Sequence, residues 1–123
     1  MIDKSKQDKI TINLRWLTIA FAIALVIATH IPKKMMTESM LTIITWDKLL
    51  HMGAYAILAW LIFVSFAITD VFKLKISILF ALAIFGAIDE YTQQFVNRSP
   101  GIDDWSADFI GAASVLVFIR KKH

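Results

Sequence analysis

Apolar positions in this chain are gathered into four blocks separated by short polar stretches. The first runs from about residue 12 to 31 and is followed by Pro32-Lys33-Lys34. The second, about 49 to 69, is the cleanest and is closed by Asp70. The third begins near Ile76 and reaches full length at about Val96 only by including Asp89 and Glu90. The fourth, about 104 to 119, is short and ends in Arg120-Lys121-Lys122. A helix crossing a bilayer takes about 20 apolar residues at a rise of about 1.5 Å each. The pattern therefore predicts an all-α bundle of four transmembrane helices. Four such spans use about 80 positions and leave about 40 for tails and loops, so residues 1–123 read as a single transmembrane domain. The first block is too long and too uniformly apolar, with no small-residue cleavage site behind it, to read as a removed signal peptide. Between the first two spans, Met35 to Trp46 mixes Met, Leu, Ile and Trp with Thr, Ser and Glu. That suits either a segment lying in the interface plane or an ordinary connecting loop.

Composition sharpens the membrane reading. Of the 123 residues 58% are hydrophobic and 19% charged, whereas soluble chains reach roughly 45–50% apolar even with glycine counted. A small domain has too much surface for so few charges to cover. This excludes a soluble enzyme, a disordered tail and a fibrous repeat. The lack of cysteine removes disulfides, thiolate metal sites and cysteine nucleophiles. Ser65 and Ser77 lie far from Asp or His partners, which speaks against a serine-hydrolase triad. Neither a glycine-rich phosphate loop nor a dinucleotide fingerprint is present.

Charge then sets an orientation, because Lys and Arg in short loops favour the cytoplasmic side. Lys4, Lys6, Lys9, Arg15, Lys73, Lys75, Arg120, Lys121 and Lys122 fall on one side of a four-span chain, against Lys33, Lys34, Lys48 and Arg98 on the other. Both termini are expected in the cytoplasm. The net charge of +3 thus reports topology, and a nucleic-acid partner would need a concentrated basic face that this chain lacks.

With that topology, Glu38, Asp47, Asp89, Glu90, Asp103, Asp104 and Asp108 all lie on the outer side or in the outer end of a span. An ionisable group inside a span costs about 2.5–3.5 kcal/mol on insertion scales, so several at one depth call for a reason. Helical spacing groups them. Asp47, Lys48, His51 and Tyr55 share one stripe of the second span, with Tyr55 about 9 Å inside the boundary. Asp89, Glu90 and Gln93 share a stripe leaving the third, and Asp104 and Asp108 are i, i+4 neighbours entering the fourth. Lipid offers these stripes no partners, so they must face inward. Gly111 with Ala112, and Gly53 with Ala54, are small enough to let helix backbones approach. Asn97-Arg98-Ser99-Pro100-Gly101 is a turn by composition, which hangs Arg98 over the cluster as a charge partner or anion clamp, or leaves it snorkelling to the interface.

The string Asp47-Lys48-x-x-His51-x-x-x-Tyr55, then Asp89-Glu90-x-x-Gln93, Arg98 and Asp104-x-x-x-Asp108-x-x-Gly111 resembles the VanZ-like family of small bacterial membrane proteins, over about residues 47–115. The resemblance implies a multi-pass protein of the bacterial cytoplasmic membrane and a link to glycopeptide susceptibility, since family members resemble the accessory protein associated with low-level teicoplanin resistance. This chain departs from the pattern twice. Asn97 precedes Arg98 where the family turn usually reads Pro-Gly, and Asp108 stands where many members carry Asn.

Three uses of the cluster follow. At about 7 Å and an effective dielectric of about 20, two carboxylates repel by about 2.4 kcal/mol, so Asp89, Glu90, Asp104 and Asp108 cannot all stay ionised unaided. Lys48, Arg98 and His51 could neutralise them, giving a polar plug that holds three helices in register. A divalent cation such as Mg²⁺ could be held by Glu90, Asp104 and Asp108, as in membrane enzymes that act on a lipid phosphate or diphosphate. Alternatively, Lys48, His51 and Arg98 could donate to the phosphate of a membrane lipid or lipid-linked cell-wall precursor, with Gln93 on a sugar or phosphate oxygen. Tyr55, Trp46 and Trp105 would then sit at the head-group level. His51 is also a general-base candidate, because imidazole titrates near neutral pH, or a hydrogen-bonded structural group beside Asp47 and Tyr55. His30 and His123 carry no motif, and Met35, Met36, Met40 and Met52 read as apolar cover. Four short helices enclose little volume, which leaves room for a homodimer.

Overall fold

The structure, a computed structural model, describes residues 3–31, 37–39, 47–66, 69–96 and 101–120, with Asp47 and Lys48 described for the backbone only. These residues form four α-helices: α1 (Lys4–Thr29), α2 (Asp47–Ser65), α3 (Val71–Gln93), which runs on into a 3₁₀ turn (Gln94–Val96), and α4 (Ile102–Phe118). The fold is all-helical, as expected. Two helices are long and apolar enough to cross a membrane, Lys4–Thr29 and the continuous Val71–Val96. The other two are shorter, α2 with 19 residues and α4 with 17.

The boundaries differ from the hydrophobic blocks for local reasons. α1 begins at Lys4 rather than near residue 12, because its polar first turns contain good helix formers and no Gly or Pro. The Gln7 N–H already donates to the Asp3 carbonyl at 3.0 Å. α2 stops at Ser65, short of residue 69. There the Ser65 hydroxyl turns back to the Leu61 carbonyl at 2.6 Å, and the Ser65 carbonyl accepts from Arg15 Nε at 3.1 Å. Asp70, expected to close the second span, opens the third instead. Its side chain accepts from the Lys73 N–H at 3.1 Å, an N-cap bond that starts α3 at Val71 rather than near Ile76.

Contacts at the helix ends fix the order of directions. Thr29 near the end of α1 meets Asp89 near the end of α3, and His51 at the start of α2 meets Asp108 at the start of α4. At the opposite end Arg15 reaches the end of α2, and Lys75 Nζ reaches the Ile119 carbonyl just past α4, at 2.7 Å. The helices therefore alternate up and down. α2 lies most extensively against α4 and also against α1, while α3 packs on α4.

Tyr55, Leu58, Ala59 and Phe63 of α2, Leu74, Ile78 and Leu82 of α3, and Ala112 and Leu116 of α4 make the core, with Phe21, Ala22 and Leu25 of α1 packed on its edge. α2 and α4 come closest at Gly111, where an added Cβ would run into the backbone of Met52. Around Gly53, by contrast, no atom of the described residues lies within 4 Å of such a Cβ, so among them the close approach expected there is not made. α3 carries two stripes at four-residue spacing. The inner one begins apolar with Leu74, Ile78 and Leu82 and continues through Gly86, Glu90 and Gln93. The outer one, with Ile76, Phe80, Ile84 and Ile88, is exposed along its length. Phe80 is 69% exposed and Phe118 84%, so the exterior is as oily as the interior, the reverse of what water favours.

Candidate functional site

The upper part of the bundle, where α1 and α3 end and α2 and α4 begin, holds a buried polar cluster. Each member is placed by ordinary helical periodicity. Asp108 sits on the inward face of α4 with Ala107, Gly111 and Ala112, while His51 and Tyr55, four residues apart, share the inward face of α2. Glu90 and Gln93 continue the inner stripe of α3.

His51 Nδ1 lies 2.6 Å from Asp108 Oδ1 and 3.9 Å from Glu90 Oε1. The Glu90 carboxylate is held on both sides. Its Oε2 accepts from the Gly101 N–H at 3.2 Å, and its Oε1 from Gln93 Nε2 at 3.4 Å. The same Gln93 amide donates to Asp89 Oδ2 at 3.1 Å. Asp89 Oδ1 accepts the Thr29 hydroxyl at 2.7 Å. His30 extends the network, with Nδ1 2.9 Å from the Val26 carbonyl and Nε2 2.7 Å from Thr92 Oγ1. A chain of polar contacts thus runs across all four helices, from His30 to Asp108.

Among the described residues, two buried atoms in this region have no hydrogen-bond partner, Tyr55 Oη and Asp108 Oδ2. Both border the space where Gly86 lacks a side chain. A Cβ on Gly86 would lie 3.2 Å from Asp108 Oδ2, 3.5 Å from Tyr55 Oη and 3.4 Å from Trp105 Cδ1. Trp105 is itself fixed there, because its indole N–H donates to the Ala83 carbonyl at 2.9 Å. His51, Glu90 and Asp108, all buried, can each offer one ligand atom such that the three atoms lie within 4.8 Å of one another.

Comparison of the chain with protein-family models, curated proteins and solved structures finds no match. The chemistry must therefore be read from the residues themselves.

Of the residues singled out in the sequence, the structure brings together His51, Tyr55, Glu90, Gln93 and Asp108. Asp104 is only half-buried and is not one of the three ligand-forming residues. The Lys48 side chain, Arg98, Trp46 and most of the Met35 to Trp46 segment lie outside the described residues. Trp105 serves as an α3–α4 tie. Thr29, His30 and Thr92 also join the network, without a motif in the sequence to mark them. The signal was available for the first two, since the end of the first block falls at the same depth as Asp89.

The cluster is rich in acceptors. Three buried carboxylates, Asp89, Glu90 and Asp108, face two imidazoles, Gln93 and a few hydroxyls. Such a set suits a cation or a donor such as a sugar hydroxyl. It disfavours an unaccompanied phosphate.

Proposed function

We propose that this chain is a VanZ-like, four-span protein of the bacterial cytoplasmic membrane, with both termini in the cytoplasm. Its polar end receives the head of an envelope lipid or lipid-linked cell-wall precursor, which is how it influences glycopeptide susceptibility. One observation carries the reading: His51, Tyr55, Glu90, Gln93 and Asp108 converge in a bundle whose exterior is apolar, and two of the buried oxygens there are unpartnered. Intramembrane polar groups face a cavity or a ligand path when they are not needed for packing. The acceptor-rich set supports a glycosylated head whose hydroxyls donate, while Lys48 and Arg98, read from the sequence, would neutralise a neighbouring phosphate.

The test uses purified protein in nanodiscs, titrated with a polyprenyl-diphosphate-linked sugar, the same polyprenyl diphosphate without sugar, and a zwitterionic phospholipid. Saturable binding that prefers the glycosylated lipid and weakens by about tenfold in Gln93→Ala, roughly 1.4 kcal/mol and the upper end for a neutral hydrogen bond from a sugar hydroxyl to the Gln93 amide oxygen, supports the reading. Equal affinity for all three lipids, or for wild type and variant, overturns it. Cysteine labelling at positions 73 and 98 reads the topology: accessibility from the same side of the bilayer refutes the four-span arrangement.

A further inference from the structure

We propose that His51, Glu90 and Asp108 form a binding site for a divalent transition-metal cation of the Zn²⁺ type, with the Tyr55 hydroxyl beside it. The inference rests on the cluster being a ligand site, as the proposed function does, but names a different occupant.

Ligand types come first. One imidazole nitrogen and two carboxylate oxygens match a borderline ion such as Zn²⁺ or Co²⁺ better than Mg²⁺, which prefers an all-oxygen set with several retained waters. Distances agree. Around a tetrahedral ion with bonds of about 2.0–2.1 Å, ligand atoms sit about 3.3 Å apart. The His51 to Asp108 and His51 to Glu90 separations, 2.6 and 3.9 Å, bracket that value, and all three ligand atoms lie within 4.8 Å of one another.

Independent of the cluster's composition, two side chains that are almost wholly buried end in unpartnered oxygens. Asp108 is 1% exposed and Tyr55 0%, and both Asp108 Oδ2 and Tyr55 Oη lack partners among the described residues. Burying an oxygen without a partner costs about 1–3 kcal/mol, and a cation bound by the Asp108 carboxylate removes that cost at its source. The supporting contacts are also those of a ligand shell. Gln93 and the Gly101 amide orient Glu90, as outer groups orient metal-binding carboxylates. On binding, the cation takes the place of the proton shared between His51 Nδ1 and Asp108 Oδ1, which leaves to solvent. Three protein ligands leave a coordination position open for water or for an oxygen of a bound head group. The metal would also convert an acidic pocket into one that tolerates phosphate.

Protein in nanodiscs, stripped with chelator and free of added lipid ligand, is titrated with Zn²⁺, Mn²⁺, Mg²⁺ and Co²⁺. The expected result is one equivalent of Zn²⁺ bound more tightly than Mg²⁺, with Co²⁺ giving the visible bands of a low-coordinate site. His51→Ala and Asp108→Asn lower Zn²⁺ affinity by at least about tenfold, and Asp104→Asn leaves it within about twofold. Glu90→Gln, which keeps size and hydrogen bonding, serves where the other variants fail to fold, and must lower affinity likewise. Uptake that is equal in wild type and the ligand variants, preference for Mg²⁺ with dependence on Asp104, or no uptake at all overturns the proposal. Metal uptake without lipid and lipid binding by the metal-free protein are read separately, so failure of one is not failure of the other.

Discussion

The two ends of the bundle handle polarity in different ways. At the lower end, polar side chains finish helices. Arg15 caps the Ser65 carbonyl and lies over the Phe66 ring at 5.0 Å, Lys75 takes the Ile119 carbonyl, and Asp70 takes the Lys73 N–H. Each of these bonds satisfies a backbone group that a helix terminus leaves open. At the upper end, apart from the Gly101 N–H on Glu90 and the Val26 carbonyl on His30, the contacts run from side chain to side chain, among charged and polar groups, and two oxygens remain over among the described residues. The first set completes helix ends, whereas the second, the Gly101 contact apart, ties side chains of different helices to one another. A bundle that needed only to be held together could do so with apolar residues at the same positions, often with equal or greater stability.

That contrast can be broken by substitution. The largest effect belongs to His51→Ala, which leaves Asp108 buried beside Glu90 without its imidazole. The expected loss is about 3–5 kcal/mol of unfolding free energy in mixed micelles, and a loss near zero would mean the upper end is solvated and not a buried cluster. Next is Gly111→Ala, whose methyl group must displace the Met52 backbone. It should cost about 1–3 kcal/mol by overpacking and weaken upper-end ligand binding as α2 and α4 separate. At the lower end Asp70→Ala removes one N-cap, with a cost of about 1 kcal/mol and no change in ligand or metal affinity. The smallest effect sharpens the comparison most. Tyr55→Phe deletes an oxygen that has no partner, so apo stability should stay level or rise by less than about 1 kcal/mol. If Tyr55→Phe were as destabilising as His51→Ala, the hydroxyl would be a structural group and the two ends would be alike.

Much of this was legible in the sequence, for reasons that particular residues make plain. Helices announce themselves through apolar runs, and the burial of His51, Glu90 and Asp108 follows from four-residue spacing combined with the cost of facing lipid. Helix ends were less visible. Nothing in a hydrophobicity pattern distinguishes Asp70 as the last residue of one element from Asp70 as the cap of the next, because only the direction of its hydrogen bond decides. The exchange of Asp104 for His51 in the candidate metal set has a similar origin. Residues four apart share a face only to within about 40° of rotation, and on α4 that turns Asp104 toward the rim while Asp108 points to the core. The end of the first block puts Thr29 and His30 at the depth of Asp89, but which partners they meet, and that Thr92 joins them, depends on how α1 docks against α3, a relation between distant segments that no local pattern encodes.

The Trp105 indole reaches a carbonyl in the middle of α3, at Ala83, where no helix end needs completing. Sliding α4 along α3 by a single residue, about 1.5 Å, would carry the indole off that oxygen and shift Asp108 relative to Glu90 by the same step. The ring acts as an index pin, setting the vertical alignment of two rods so that their two acids meet at one height.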